Sequence, residues 1–271
     1  MSKSIFVFSS VFLLFSCAYS PYRKIQKLQN HKIDSLKKEI ALKTEPLLLD
    51  SLQQPIVVDY IPTINFGLRK PNFVIIHHTA QDSVGQTIKT FSLTRTQVSA
   101  HYLISASGKI IHLLNNNLRA WHAGNSTWGN ITDINSCSIG IELDNNGLLP
   151  FTTQQIESLL MLLKSLKKMY KIPAANFIGH ADIAPLRKND PSRYFPWKLL
   201  SENGYGLWYD NPDLHPPLDF DVENALRRIG YNTNNLHAAI RAFKLHFVQI
   251  DTSPILTEWD KCVLWNLYKK Y

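Results

Sequence analysis

The chain has 271 residues, of which 45% are hydrophobic and 11% aromatic, so it can bury the core of one large domain and a smaller one. Its formal net charge of +8 favours an anionic partner, but the basic residues form no long run and no known nucleic-acid motif. Composition therefore excludes a disordered chain and argues against nucleic-acid binding. An anionic cell-wall polymer or a membrane surface fits the charge.

Residues 1–17 carry the pattern of a secretory signal peptide. One lysine precedes an apolar run that is too short to cross a bilayer comfortably, and small residues follow. The segment ends in LFSC, which resembles the bacterial lipoprotein cleavage box, in which the cysteine is lipidated and becomes the mature N-terminus. We therefore predict a lipid anchor on Cys17 that holds the protein on a bacterial membrane, facing the periplasm. Ala18, where many inner-membrane lipoproteins have aspartate, favours the outer membrane, and an ordinary signal peptide is the alternative.

Residues 18–60 are rich in lysine and glutamine, with scattered leucines. This segment could form a marginal helix, but its low apolar density predicts a tether that lifts the folded part off a membrane. The remaining cysteines, Cys137 and Cys262, are distant in sequence. No disulfide framework is therefore predicted, and both are expected to be small core residues.

From residue 61 to residue 205, short apolar segments alternate with polar turns, which predicts strands. Ser107 and Gly108 indicate a hairpin turn between the second and third strands. The five predicted strands are Phe73–His78, His101–Ser105, Lys109–Leu114, Ser138–Leu143 and Phe177–His180.

The clearest helix is predicted at Thr153–Tyr170. Thr152 and Gln155 have the spacing of a capping box, and apolar residues recur every three or four positions. A shorter helix is predicted at Val84–Leu93. Strands and helices in this arrangement indicate an α/β domain with a mixed central sheet flanked by helices.

Residues 206–271 form a different unit, with apolar residues at helical spacing in three segments. The predicted helices are Phe220–Ile229, Leu236–Phe247 and Pro254–Tyr268. Ser253 and Pro254 fit an N-cap and first-turn pair for the last helix. We predict a small three-helix domain after the α/β domain.

Histidines and one aspartate at strand ends form a candidate metal site. A catalytic zinc needs three protein ligands, with the fourth position left to water. The motif FIGHADIAPLRKNDP places His180 at a strand end and Asp190 ten residues later. The first strand ends in His77 and His78, whose side chains point to opposite faces, so only one of them can serve this site. The sequence contains no HExxH motif, which excludes a thermolysin-like zinc site.

The motifs VIIHHTA, SAHYLIS, RAWHAG, SIGIELDN and GHADIAPLRKNDP resemble, in order and spacing, those of the type 2 zinc-dependent N-acetylmuramoyl-L-alanine amidases. This superfamily shares its fold with peptidoglycan-recognition proteins and phage lysozyme-amidases, and the resemblance covers residues 73–197. It implies that His77, His180 and Asp190 bind Zn²⁺, and that Glu142 and Lys188 act on the substrate. The third ligand is an aspartate and not a cysteine, and in this the chain resembles the bacterial amidases and not the animal recognition proteins or phage enzymes.

Local sequence context predicts lesser roles for other residues of these motifs. Trp121 and His122 are expected near the cleft, where they could contact substrate. A structural role is expected of three residues: His101, His78 and Asp182. The family commonly has glycine after its DP motif, whereas this chain has Ser192, which could alter the loop behind Asp190.

The resemblance implies a monomeric enzyme that hydrolyses the amide bond between N-acetylmuramic acid and L-alanine in peptidoglycan or muropeptides. Two alternatives stay open, namely a non-catalytic peptidoglycan-recognition lipoprotein and a zinc amidohydrolase of the same fold that acts on another amide. The segments FDVENALRRIGY and IRAFKLHF loosely resemble a three-helix peptidoglycan-binding module. For residues 206–271, glycan binding and simple stabilisation of the catalytic domain are equally open.

Overall fold

The computed structural model describes residues 22–42, 53–54, 68–212 and 215–271. The predicted signal peptide, Cys17 and much of the predicted tether lie outside these residues. Arg23–Leu42 forms a helix, α1, whose described side chains are mostly exposed. Lysine, glutamine and leucine are good helix formers, so this part of the predicted tether is helical although it buries little. Within the described ranges, no helix is long and apolar enough to cross a membrane.

Gly67–Tyr271 forms one unit around a five-stranded mixed sheet in the order β3-β2-β4-β1-β5. Strand β1 is parallel to β4 and β5, and β2 is parallel to β4 but antiparallel to β3. The predicted fold class is confirmed, and the first and fourth strands have the predicted bounds. The strands are β1 Phe73–His78, β2 Tyr102–Ile104, β3 Ile110–His112, β4 Ser138–Leu143 and β5 Phe177–Gly179.

Helices of varied length connect the strands. The long helix has the predicted bounds, but only half of its capping box forms. The Thr152 hydroxyl accepts from the Gln155 amide nitrogen at 3.2 Å, whereas the Gln155 side chain donates to the Ile104 carbonyl at 2.9 Å. Burial of Gln155 against the end of β2 explains this difference. The helices are α2 Val84–Ser92, α3 Ile134–Cys137, α4 Thr153–Tyr170, α5 His180–Ile183 and α6 Trp197–Glu202.

The C-terminal segment contains α7 Val222–Ile229, α8 Leu236–Phe243, a π-helical turn at Lys244–Val248 and α9 Glu258–Lys270. The predicted N-cap at Ser253 is wrong, because α9 begins after Thr257, which forms a capping box with Asp260. The Ser253 hydroxyl instead accepts from the buried Lys244 ammonium at 3.1 Å. That ammonium also pairs with Asp260 at 3.2 Å, so a buried charge holds this turn together.

The C-terminal helices pack into the same hydrophobic core as the sheet. One cluster of buried residues includes Ile141 of β4, Leu163 of α4, Phe243 of α8 and Leu264 of α9. The segments 61–205 and 206–271 thus share one hydrophobic core. Their division into two domains stays a prediction. Cys262 is buried and Cys137 is half-buried, and they form no disulfide with each other.

Candidate metal and catalytic site

Three buried side chains converge at the C-terminal ends of β1 and β5. The Nδ1 atoms of His77 and His180 lie 2.9 Å apart, and the Oδ2 atom of Asp190 lies 3.2 Å and 3.1 Å from them. Within the described part of the chain, this is the group of three side chains that could hold a metal ion. His77 ends β1, while His180 is the first residue of α5, directly after β5. Neighbouring parallel strands therefore deliver both histidines to one edge of the sheet.

The ionisation of these side chains suits a divalent cation. Burial, reinforced by the neighbouring His180, lowers the pKa of His77 to about 4, so this ring is neutral at pH 7. Burial alone would raise the pKa of Asp190, but the two facing histidines outweigh it and hold that pKa below its usual range. Metal ligation requires neutral imidazole and ionised carboxylate. Two imidazole nitrogens and one carboxylate oxygen are a donor set that Zn²⁺ accepts in catalytic sites.

Glu142 lies beside the three converging side chains and lines the same cleft. It is the register partner of His77 on the adjacent parallel strand, so both side chains emerge on the same face. Its Oε2 atom is buried and has no hydrogen-bond partner among the described residues. Burial and the nearby Asp190 raise the pKa of Glu142 to about 8, against a smaller opposing effect of Lys188. A carboxyl group whose pKa lies near neutrality can both accept and return a proton.

His77, His180, Asp190 and Glu142 line a cleft of about 290 Å³. Lys188 lies on its rim with an exposed side chain, on the turn that links α5 to Asp190. Trp121 is 51% exposed and also lines the cleft, where its ring can contact a bound molecule. The predicted site residues Glu142, Lys188 and Trp121 are therefore brought together with the predicted ligands.

His122 also lines the cleft, as expected, but most of its ring is buried. Its ring is buried behind His77, with its Nδ1 atom 3.1 Å from the His77 Nε2 atom. Its other nitrogen, Nε2, lies 3.1 Å from the Ser138 hydroxyl. Both ring nitrogens are thus engaged by the protein, and His122 supports a ligand.

Two other histidines have the structural roles expected of them. His101 is fully buried, and its Nδ1 atom accepts a hydrogen bond from the Gly140 backbone at 3.0 Å. His78 uses its Nδ1 atom to accept from the Ser192 backbone at 3.1 Å, so it supports the loop behind Asp190. Ser192 therefore keeps a backbone contact in that loop, and it removes none of the three converging side chains.

Asp182 is a structural carboxylate, as expected, although it lies in α5 and not in a loop. It accepts hydrogen bonds at 2.7 Å from the Gly179 backbone, the Tyr231 hydroxyl and the His246 Nδ1 atom. Tyr231 and His246 belong to the C-terminal segment, so that segment buttresses the short helix on which His180 stands. Sequence reasoning missed both residues, because no local pattern links them to Asp182.

Two histidines and an aspartate form a buried group of possible metal ligands, and Glu142 lies beside them in a cleft. This arrangement defines a candidate metal-dependent hydrolase. The family model described as N-acetylmuramoyl-L-alanine amidase matches residues 67–193. The chain is 37% identical over 206 residues to the N-acetylmuramoyl-L-alanine amidase AmiD of Escherichia coli, spanning 64% of this chain and 74% of that relative. The chain therefore belongs to the N-acetylmuramoyl-L-alanine amidase family.

Other relatives are similar over different lengths. The 1,6-anhydro-N-acetylmuramyl-L-alanine amidase AmpD of Haemophilus influenzae is 45% identical over 103 residues, which is 38% of this chain and 56% of that relative. The solved complex of Escherichia coli AmiD with anhydro-N-acetylmuramic acid-L-Ala-D-gamma-Glu-L-Lys has a TM-score of 0.68 and 29% identity, covering 84% of this chain and 99% of that chain. The structure of Pseudomonas aeruginosa AmpDh3 has the same TM-score of 0.68, with 30% identity.

Proposed function

We propose that this chain hydrolyses the amide bond between N-acetylmuramic acid and L-alanine in peptidoglycan or muropeptides, with Zn²⁺ held by His77, His180 and Asp190. The observation that carries the proposal is the position of Glu142, a half-buried carboxyl group whose Oε2 atom is buried without a hydrogen-bond partner among the described residues, beside a complete set of metal ligands. A peptidoglycan-recognition protein without catalysis has no use for such a group, and burying it is costly. The AmiD complex with an anhydro-muropeptide supports the substrate class.

Each residue has a role in this reaction. Bound zinc would supply a Lewis acid that polarises the amide carbonyl and lowers the pKa of water to about 7. Glu142 takes the proton of the attacking water and then delivers it to the departing alanine nitrogen, which would otherwise be a poor leaving group. We assign Lys188, which lines the cleft with an exposed side chain, to stabilising the negative charge that develops on the carbonyl oxygen.

The test is digestion of purified muropeptides by the full chain in detergent, followed by mass analysis for free stem peptide. We expect release that a chelator abolishes and that added Zn²⁺ restores. Glu142→Gln should keep zinc and lose release. Binding of muropeptide without release by the wild type would instead identify a recognition protein, and release from other amides alone would identify a different amidohydrolase.

We further propose that the protein is attached through lipid on Cys17 to the periplasmic face of a bacterial membrane, the outer one. The support is the pattern of residues 1–17. Labelled fatty acid should be incorporated by the wild type and not by Cys17→Ser, and density-gradient fractions should contain the protein with outer-membrane markers. Release of the wild type into the soluble periplasmic fraction would contradict the anchor.

A further inference from the structure

His77 can bind a metal through Nδ1 only if that nitrogen carries a lone pair. A neutral imidazole holds one proton, on either Nδ1 or Nε2, and the hydrogen bond at the far nitrogen decides which tautomer is present. His77 faces His180 and Asp190 through Nδ1, so a metal ion bound there requires the His77 proton to lie on Nε2.

For His180 the tautomer is decided by one contact. Its Nε2 atom lies 3.1 Å from the Ala123 carbonyl oxygen, which can only accept a hydrogen bond. Nε2 therefore carries the proton, and the lone pair is on Nδ1, which faces the metal position.

For His77 the far nitrogen meets another histidine, which could donate or accept. His77 Nε2 lies 3.1 Å from His122 Nδ1, and His122 Nε2 lies 3.1 Å from the Ser138 hydroxyl oxygen. These two contacts alone leave the direction of both hydrogen bonds open. The third contact decides it, because the Ser138 hydroxyl lies 2.6 Å from the Ile134 carbonyl oxygen.

A carbonyl cannot donate, so the single Ser138 hydroxyl proton is committed to Ile134. The Ser138 oxygen must then accept from His122 Nε2, which leaves His122 Nδ1 as an acceptor. His77 Nε2 must therefore donate. The reverse direction would place two lone pairs against each other at the 2.6 Å contact between Ser138 and Ile134.

We propose that His122 and Ser138 are positioning residues that hold His77 in its metal-binding tautomer, through a hydrogen-bond chain that ends on the Ile134 carbonyl. This tautomer chain is defined by four residues: His77, His122, Ser138 and Ile134. The Ala123 carbonyl fixes the proton of His180 on Nε2 by direct contact. The tautomer chain fixes the proton of His77 on Nε2 through two intervening side chains, His122 and Ser138. The proposal rests on the proposed metal site.

The fold is arranged to hold the tautomer chain in place. A Cβ atom at Gly140 would lie 2.4 Å from His122 Cγ, so only glycine leaves room for the ring against β4. The Asn135 side-chain oxygen accepts from the His122 backbone nitrogen at 3.0 Å, which fixes the loop that carries the ring. Helix α3 has only four residues, and its first carbonyl, Ile134, turns to the hydroxyl of Ser138.

The test reads the tautomer directly in the metal-free full chain in detergent. Two-bond ¹H–¹⁵N correlation spectra distinguish protonated from unprotonated ring nitrogens, and the His77 signals are assigned by their loss in His77→Gln. We expect the wild type to carry the His77 proton on Nε2, because Nε2 faces an acceptor at 3.1 Å, although the Asp190 carboxylate at 3.2 Å from Nδ1 competes for that proton. Ser138→Ala removes the step that sets direction, so a mixture of His77 tautomers should appear.

Zinc affinity, measured by competition with a fluorescent chelator, should fall about 10-fold in Ser138→Ala and about 10- to 100-fold in His122→Phe, the range typical of residues that orient metal ligands. Ser138→Thr keeps a hydroxyl and should retain the wild-type tautomer. Ser105→Ala removes another buried hydroxyl, which lies in the turn after β2, and should change neither readout.

A His77 proton on Nδ1 in the wild type would overturn the proposal, as would Ser138→Ala with an unchanged tautomer, whatever its affinity for zinc. The result is independent of the proposed function, since the spectra require no substrate. Muropeptide release by a wild type with the wrong tautomer would refute the tautomer chain alone. The expected tautomer without any release would refute the amidase activity alone.

Discussion

Glu142 should make the metal-free protein less stable as the pH rises, and Glu142→Gln should remove that loss. Burial raises the pKa of this carboxyl from 4.5 to about 8. Below pH 4.5 the group is protonated in both the folded and the unfolded states, so it contributes no difference. Between pH 4.5 and pH 8 the unfolded chain releases the proton while the folded protein retains it, so the free energy of unfolding falls as the pH rises.

The loss corresponds to about 1.4 kcal/mol for each pH unit above the unfolded pKa, which gives about 3 kcal/mol at pH 7. Glutamine is neutral at every pH and has a similar shape. Metal-free Glu142→Gln should therefore exceed the wild type in unfolding free energy by about 3 kcal/mol at pH 7 and by less than about 1 kcal/mol at pH 5. Added zinc should reduce the difference, because a nearby cation favours the ionised carboxylate.

Urea unfolding of both proteins across this pH range, followed by circular dichroism, measures the difference. Glu157→Gln, an exposed substitution on α4, is the matched control and should show no comparable trend. A variant that is less stable than the wild type, or a difference that does not grow between pH 5 and pH 8, would refute the reasoning. Glu142→Gln should also lose muropeptide hydrolysis. Together the two results would show that Glu142 lowers the stability of the metal-free protein and is needed for catalysis.

Three further outcomes are expected. His180→Ala and Asp190→Ala should each lose most bound zinc in elemental analysis, because each removes one of three ligands; a stoichiometric ion in either variant would remove that residue from the ligand set. Lys188→Met should keep zinc and lower kcat on muropeptides by about 100-fold, the loss of one oxyanion donor, and near-normal turnover would contradict its role. Tyr231→Phe leaves the buried Asp182 carboxylate with one donor fewer and should reduce the unfolding free energy by about 1–3 kcal/mol in urea; an unchanged value would show that the Tyr231 hydrogen bond does not stabilise α5.

Local patterns predicted the central elements of the fold well. Strands β1 and β4 are buried on both faces, and α4 buries one face, so their burial is visible as continuous or periodic apolar residues. The bounds of α9 were less predictable. Ser253 was predicted as the N-cap, but its hydroxyl accepts from the buried Lys244 ammonium, and Thr257 caps the helix instead.

The site was predictable only where it coincided with known motifs. His77, His180 and Asp190 came from a family pattern, and the structure places their ligand atoms together. His122 was expected near the cleft, where it could contact substrate, because it follows Trp121 in the RAWHAG motif, and its buried hydrogen bonds to His77 and Ser138 were not predicted. The supporting role of Ser138 could not be predicted, since a serine at the start of a strand has no distinctive signal. The glycine at position 140, inside a strand, is a sequence signal that a side chain packs closely against the backbone there, and that side chain is His122.

The amino-acid sequence alone determined the family, the mixed α/β architecture and the residue types available for a zinc site, because these depend on short-range patterns and on motif order. The family motifs had already selected His77 over His78, and the tertiary structure alone decided how the His77 ring is oriented. It also brought Tyr231 and His246 to Asp182, across 49 and 64 residues of chain. Hydrogen-bond direction and buried charge depend on which groups meet in space, and contacts over such separations leave no local periodicity in the sequence.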